Sequence, residues 1–124
     1  MPRFFSPVLV FTGGALGTGA RGAIFQFGET AGLITVNAVG TLILATLSGL
    51  LFHAHAPWAT PVRLFFAAGV CGALTTQSTL ALMPVQAGLG GLTLTVVSLV
   101  TGACAAVSGW LIGSALRPSP RSSC

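Results

Sequence analysis

The sequence predicts an all-α membrane protein with four transmembrane helices. Of its residues, 53% are hydrophobic and only 5% are charged, and the mean hydropathy is +0.94. So few charges cannot cover the surface of a soluble globule of this size. A hydrocarbon core about 30 Å thick needs about 20 helical residues, so the 124 residues accommodate four spans with short loops in one domain at residues 1–116. A polar tail at residues 117–124 is predicted to be disordered.

The first span, at about residues 4–27, carries a glycine-rich face. Gly13 and Gly17 have the spacing of small residues that lets another helix approach to backbone contact. Arg21 extends this face toward the far end of the helix, where its guanidinium meets lipid headgroups or an anion. A secretory signal is the alternative interpretation of residues 2–20, but its removal would leave only three spans.

The second span, at about residues 33–52, carries polar side chains along one face. Asn37, Thr41 and Ser48 share that face, because separations of four and eleven residues both return close to the starting angle of a helix. An isolated asparagine in a span usually bonds to another helix. A stripe of amide and hydroxyl groups also fits a hydrated or anion-accepting path, and both interpretations stay open.

The third and fourth spans, at about residues 62–83 and 89–116, are interrupted by small and polar residues. Residues 69–80 concentrate glycine, threonine and serine at the predicted mid-depth of the third span. Such a segment in lipid packs closely, breaks or lines a polar path. In the fourth span, Thr101 and Ser108 are seven residues apart and nearly eclipsed.

The charges predict the orientation in the membrane. Five basic residues stand against one acidic residue, a balance that would suggest nucleic-acid binding in a soluble chain. Here the arginines are dispersed over the ends of spans, so we expect them to set topology and meet anionic headgroups, with no nucleic-acid partner. Arg21 and Glu29 lie on one side, and the other side has four arginines: Arg3, Arg63, Arg117 and Arg121. The positive-inside rule therefore places both termini in the cytoplasm, in a multi-pass plasma-membrane protein.

Enzymatic activity is not expected. One Glu, two loop histidines and two cysteines inside spans supply no acid-base pair, activated nucleophile or metal cluster. A small four-helix multidrug transporter is a competing function, but it requires a carboxylate within the membrane. The single acid, Glu29, is predicted in a loop, which argues against that function.

Three motifs, taken in order, resemble the CrcB/Fluc family of small four-helix fluoride channels. The matching residues are Gly13-Gly14-x-x-Gly17-x-x-x-Arg21 in the first span, Val36-Asn37-x-x-Gly40 in the second, and Gly69-x-Cys71-Gly72-x-Leu74-Thr75-Thr76-x-Ser78-Thr79 in the third. Each motif alone is weak, but together they are specific. With the length and the number of spans, the resemblance covers about the whole chain.

The resemblance implies an antiparallel dimer that exports cytoplasmic fluoride passively through two narrow pores at the subunit interface. It also implies a third helix broken at mid-membrane, with a structural sodium ion held at the dimer interface by the backbone carbonyls of Gly72 and Thr75. A two-fold axis brings two such breaks together and forms an oxygen cage for one cation. An unbroken helix that uses its small residues for contact is the alternative.

Fluoride is small and strongly hydrated, so a pore must replace its water with hydrogen-bond donors. The residues expected to line the pore or concentrate the anion are Asn37, Arg21, Gln77, Ser78, Thr79, Thr101 and Ser108.

The sequence departs from the family in the third span. The family pattern Thr-Thr-Phe-Ser-Thr-Phe, whose ring edges face an anion, is replaced here by Thr75-Thr76-Gln77-Ser78-Thr79-Leu80. Loss of both phenylalanines, together with the one-sided arginines, predicts a heterodimer with a homologous subunit of opposite orientation. A homodimer and a non-conducting scaffold subunit are the alternatives.

Overall fold

The computed structural model describes residues 4–75 and 77–118, with the side chains of residues 77–81, 83 and 84 left out. These residues form four helices, with no strand among them: α1 (Phe5–Phe25), α2 (Glu29–Leu51), α3 (Ala59–Leu74) and α4 (Gln77–Ala115). The prediction of an all-helical fold is confirmed. Arg3, Thr76, Arg121 and the rest of the predicted tail from residue 119 lie outside the described residues.

Three stretches among the described residues are long and apolar enough to cross a membrane: Phe5–Phe25, Glu29–Leu51 and Val85–Ala115. The apolar helix α3 is shorter. Large apolar side chains such as Phe11, Leu99 and Val107 are more than half exposed in the single chain. An outward-facing apolar surface of this kind requires lipid or another protein against it, and the chain is therefore a membrane protein.

Helix α1 packs against α3 through glycines. A Cβ atom added to Gly13 would clash with the Phe65 carbonyl oxygen and lie 3.1 Å from the Gly69 Cα, and one added to Gly17 would clash with the Val70 carbonyl oxygen. The two backbones are thus in direct contact, which only glycine allows at these positions.

Helices α2 and α4 pack in the same way toward the end of the bundle that holds Leu51. A Cβ atom on Gly109 would lie 2.6 Å from the Leu42 carbonyl oxygen, and one on Gly49 would lie 2.8 Å from the Trp110 carbonyl oxygen. Each helix therefore presents glycine to the backbone of the other, and the pair forms a close two-helix unit.

The backbone of α3 is irregular. It begins as an α-helix at Ala59–Arg63, continues as a π-helix at Leu64–Cys71 and returns to α-helix at Gly72–Leu74. Thr75 is extended, with φ −75° and ψ 144°. Helix α4 then begins at Gln77 and is kinked at Gly88, whose φ of 58° and ψ of −133° belong to a region that is accessible to glycine. Residues 77–87 thus form a short arm that leads into the long part of α4.

Two arginines satisfy the carbonyl end of α2. Arg63 donates from Nη2 to the Leu51 carbonyl oxygen, and Arg117 donates to the Gly49 carbonyl oxygen from Nη2 at 2.7 Å and from Nε at 3.3 Å. The last carbonyls of a helix have no partner within it and form its negative end. Arg63 and Arg117 therefore lie at the same end of the bundle, while Glu29 lies at the other end of α2.

Replacing Gly13 by alanine is expected to lower the free energy of unfolding by about 1–3 kcal/mol, because a methyl group pressed against backbone cannot be relieved by a change of rotamer. Gly19 on the same helix supplies the control, since a Cβ atom there meets nothing within 4 Å. Gly19→Ala should be neutral or slightly stabilising. Thermal unfolding of both variants in detergent measures the difference, and equal midpoints would contradict the packing of α1 on α3.

Candidate functional site

A cavity of about 290 Å³ lies between α2, α4 and the end of α3. Its polar lining consists of Asn37, Thr41, Thr75 and Ser98, and small and apolar residues of α4 complete the wall. Thr41 is close to the middle of α2, so the cavity lies near mid-depth along the helices. Polar groups at such a depth are costly in hydrocarbon and commonly mark a functional site.

A hydrogen bond at this cavity joins α2 to α4. The Asn37 amide donates from Nδ2 to the Ser98 hydroxyl oxygen at 3.3 Å, and the two residues are only 7% and 3% exposed. Because the serine oxygen accepts this bond, its own hydrogen is directed elsewhere. No other acceptor for the Ser98 hydroxyl is found among the described residues. The pair therefore presents a hydroxyl donor inside the bundle.

Thr75 brings the end of α3 to the same place. Its hydroxyl and its backbone N–H both donate to the Cys71 carbonyl oxygen, each at 3.0 Å, so both groups are satisfied where the helix ends. The Thr75 methyl group packs on Gly40 of α2, where an added Cβ atom would lie 2.9 Å from it. Glycine at position 40 thus allows Thr75 to approach α2 and reach the cavity.

The structure places the predicted site residues at different locations. Asn37 lines the cavity, whereas Arg21, Thr101 and Ser108 do not. The Thr101 hydroxyl donates within its own helix, to the carbonyl oxygens of Val97 at 2.9 Å and Ser98 at 3.0 Å. Ser108 is exposed and Arg21 is half-buried in the single chain. The remaining three predicted positions, Gln77, Ser78 and Thr79, have a helical backbone, and their side chains lie outside the described residues.

The residues that the sequence did not single out for the site are Ser98 and the side chain of Thr75, whereas Thr41 belongs to the polar stripe predicted on α2. Thr41 follows Asn37 by four residues, a spacing that indicates a shared face. Ser98 precedes Thr101 by three residues and belongs to the same group of hydroxyls in α4, but spacing alone does not tell which hydroxyl faces α2. Ser48, the last member of the predicted stripe, is exposed, so the stripe reaches the cavity only at Asn37 and Thr41.

A second cavity of about 510 Å³ lies along the same two helices, toward the end of the bundle that holds Glu29. Its lining includes Thr30 and Ile34 of α2 and Thr93 and Val97 of α4. Val97 immediately precedes Ser98, and Ile34 lies one turn before Asn37. The two cavities are therefore neighbours along the groove between α2 and α4.

Comparison with known proteins gives a consistent result. The family described as "CrcB-like protein, Camphor Resistance (CrcB)" matches residues 8–110. "Fluoride-specific ion channel FluC 1" of Cutibacterium acnes is 34% identical over 119 residues, covering 88% of this chain and 83% of that protein. "Fluoride-specific ion channel FluC 2" of Leifsonia xyli is 33% identical over 123 residues, covering 90% and 85%. The Bacillus licheniformis protein of that same name is 37% identical over 117 residues, covering 87% and 86%. No solved structure matches the chain.

Replacing Ser98 by alanine is expected to lower the free energy of unfolding by about 1–3 kcal/mol, because the buried Asn37 amide loses the acceptor that joins α2 to α4. Ser108→Ala on the exposed face of the same helix is the matched control and should change stability little. Unfolding of the purified variants in a denaturing-detergent titration measures both effects. Equal stability of the two variants would show that the bond between α2 and α4 contributes nothing.

Proposed function

The chain belongs to the CrcB family, and we propose that it is a subunit of a fluoride-selective channel. In this function fluoride leaves the cytoplasm down its gradient through the plasma membrane, without enzymatic chemistry. The observation that carries the proposal is the cavity at Asn37 and Ser98, which places amide and hydroxyl donors deep between apolar helices. The names of the relatives, all fluoride-specific ion channels, support the choice of anion.

The chemistry of the cavity suits a small, strongly hydrated anion. Fluoride must exchange its water for donors, and a neutral amide and hydroxyls supply hydrogen bonds without a charge that would hold the ion too tightly. The Ser98 hydroxyl already accepts from Asn37, so its hydrogen is the donor that remains. The neighbouring cavity toward Thr30 and Thr93 gives the ion a route along the groove between α2 and α4.

The other predicted positions complete the proposed pore together with a second subunit. Ser108 is exposed on α4, where a second subunit brings the opposite wall of an interfacial pore. This chain's own wall of the pore includes four further candidate donors: Gln77, Ser78, Thr79 and Thr101. Arg21, near the end of α1, concentrates anions at an entrance by its charge.

A structural sodium ion at the dimer interface is part of the proposal. Thr75 is extended and ends the helical segment Gly72–Leu74, and the last carbonyls of a helix have no donor within the helix itself. Gly72 is exposed, and a Cβ atom there would meet nothing closer than the Ala67 carbonyl oxygen at 3.8 Å, so this face leaves room for another chain. The backbone oxygens of Gly72 and Thr75 would hold the ion together with those of a second subunit.

We infer that the second subunit is a homologue of opposite orientation. Gln77 and Leu80 stand where the family has phenylalanines, so this chain lacks the ring edges that face the anion. The arginines at the Leu51 end of α2 support one fixed orientation, with both termini cytoplasmic. An antiparallel pair then requires a different chain that supplies the phenylalanines.

A multidrug transporter is disfavoured because it requires a carboxylate within the membrane. Glu29, the only acidic residue of the sequence, is exposed at the first residue of α2.

Replacing Asn37 by alanine is expected to slow fluoride efflux at least about tenfold, because a hydrogen bond to a charged group is worth about 1.5–3 kcal/mol. The matched control is Thr35→Ala on the same helix, since the exposed Thr35 hydroxyl donates to the carbonyl oxygen of Ala31 at 2.7 Å and should leave efflux unchanged. Each variant is reconstituted together with a homologous subunit that carries both phenylalanines, and a fluoride electrode outside the loaded liposomes measures both rates. Equal efflux rates for the two variants would show that Asn37 does not contact fluoride in the pore.

The partner is tested by reconstituting this chain alone and together with a homologous subunit that carries both phenylalanines. The pair should release fluoride rapidly and chloride slowly, and this chain alone should release neither. Full channel rates from the chain alone would disprove the requirement for a partner. Unchanged efflux after substitution of Asn37, Thr101 and Ser108 in the pair would instead identify a non-conducting scaffold. Replacing sodium by N-methylglucamine should lower efflux from the pair if sodium holds the two subunits together.

A further inference from the structure

A third cavity, of about 630 Å³, lies where α2 and α4 end and outside the region assigned to fluoride. Leu50 and Leu51 of α2, Trp58 of the following loop and Arg117 after α4 contribute to its lining. Its size falls within the range of about 300–1,000 Å³ that is usual for small-ligand sites. The loop between α2 and α3 closes one side of it.

Arg117 is the cation of this cavity, and its guanidinium is held in place. Nε and Nη2 both donate to the Gly49 carbonyl oxygen, and the guanidinium carbon lies 5.8 Å from the centre of the Phe52 ring. No described residue accepts a hydrogen bond from Nη1. A guanidinium fixed in this way loses little entropy on binding and offers its remaining donors to an anion, with phosphate as a matching partner.

The charge around the cavity favours an anion. The only acidic side chain in the sequence, Glu29, lies at the opposite end of α2. Two imidazoles, of His53 and His55, belong to the lining and add further hydrogen-bonding groups. Nothing in the lining therefore competes with an incoming anion for Arg117.

The walls indicate that this anion carries an apolar chain. Leu50 and Ala54 contribute half-buried apolar surface to the lining that includes Arg117, and Trp58 in the same lining is 58% exposed. Free phosphate would leave these apolar walls uncovered, whereas a phospholipid covers them with the upper part of an acyl chain. Tryptophan and arginine at the end of a transmembrane helix lie at headgroup depth, and basic pockets there bind anionic lipids. We propose that this cavity binds one anionic phospholipid, with its phosphate on Arg117.

The test uses the full chain reconstituted in bilayers of equal parts phosphatidylglycerol and phosphatidylcholine, then released in mild detergent for native mass spectrometry. The protein should retain phosphatidylglycerol in preference to phosphatidylcholine. Arg117→Gln removes the charge and should reduce that preference about tenfold, in line with the loss of one charge-assisted hydrogen bond. Ala54→Phe keeps the charge but fills the cavity, so it should also reduce retention and guards against a folding defect specific to Arg117→Gln.

Arg63→Gln is the matched control, because Arg63 also donates to a carbonyl at the end of α2 but does not line the cavity. It should retain phosphatidylglycerol as the unmodified protein does. An equal loss in Arg63→Gln and Arg117→Gln would show that overall charge, and not this cavity, attracts the lipid. Release of the lipid by inorganic phosphate would assign the site to a free anion and overturn the proposal, as would full retention by both Arg117→Gln and Ala54→Phe.

Discussion

Hydrocarbon offers no hydrogen bonds, so every polar group inside this bundle needs a partner from the protein or from what the protein carries. The Asn37 amide meets Ser98, Thr75 turns its hydroxyl and its N–H back onto the Cys71 carbonyl, and two arginines meet the carbonyls that end α2. These contacts show how the bundle satisfies polar groups among apolar helices.

Glycine makes those partnerships possible. Because lipid tails are as apolar as leucine, helices in a membrane gain little by burying leucine against one another and depend on close packing. Gly13 brings α1 onto α3, Gly109 brings α4 onto α2, and Gly40 admits the Thr75 methyl group. Polar side chains as short as serine and threonine then reach across the remaining distance. The site therefore depends on the packing, because a glycine on one helix lets a short polar side chain on a neighbouring helix reach the cavity.

Much of the fold follows from hydropathy. The four helices and the family resemblance are confirmed, because length, apolar composition and three ordered motifs all depend on local sequence. The site was predictable only in part. Asn37 is buried and lines the cavity, while its role as a pore residue stays a prediction. Spacing does not tell which hydroxyl of α4 turns toward α2, and in the structure that hydroxyl belongs to Ser98. The π-helix at Leu64–Cys71 carries no comparable sequence pattern, since it depends on how α3 fits against its neighbours.

The bond from Arg117 to Gly49 spans 68 residues of sequence. In a chain inserted from its N-terminus, α2 enters the bilayer long before the residue that completes its carbonyl end has been synthesised. Arg63 is synthesised earlier and donates to the nearby Leu51 carbonyl oxygen. The carbonyl end of α2 therefore gains its donors in two stages, first from Arg63 at the start of α3 and later from Arg117 after α4. Arg117 therefore completes the hydrogen bonding of a helix that is synthesised much earlier. A nascent chain that stops short of residue 117 leaves the Gly49 carbonyl without this donor.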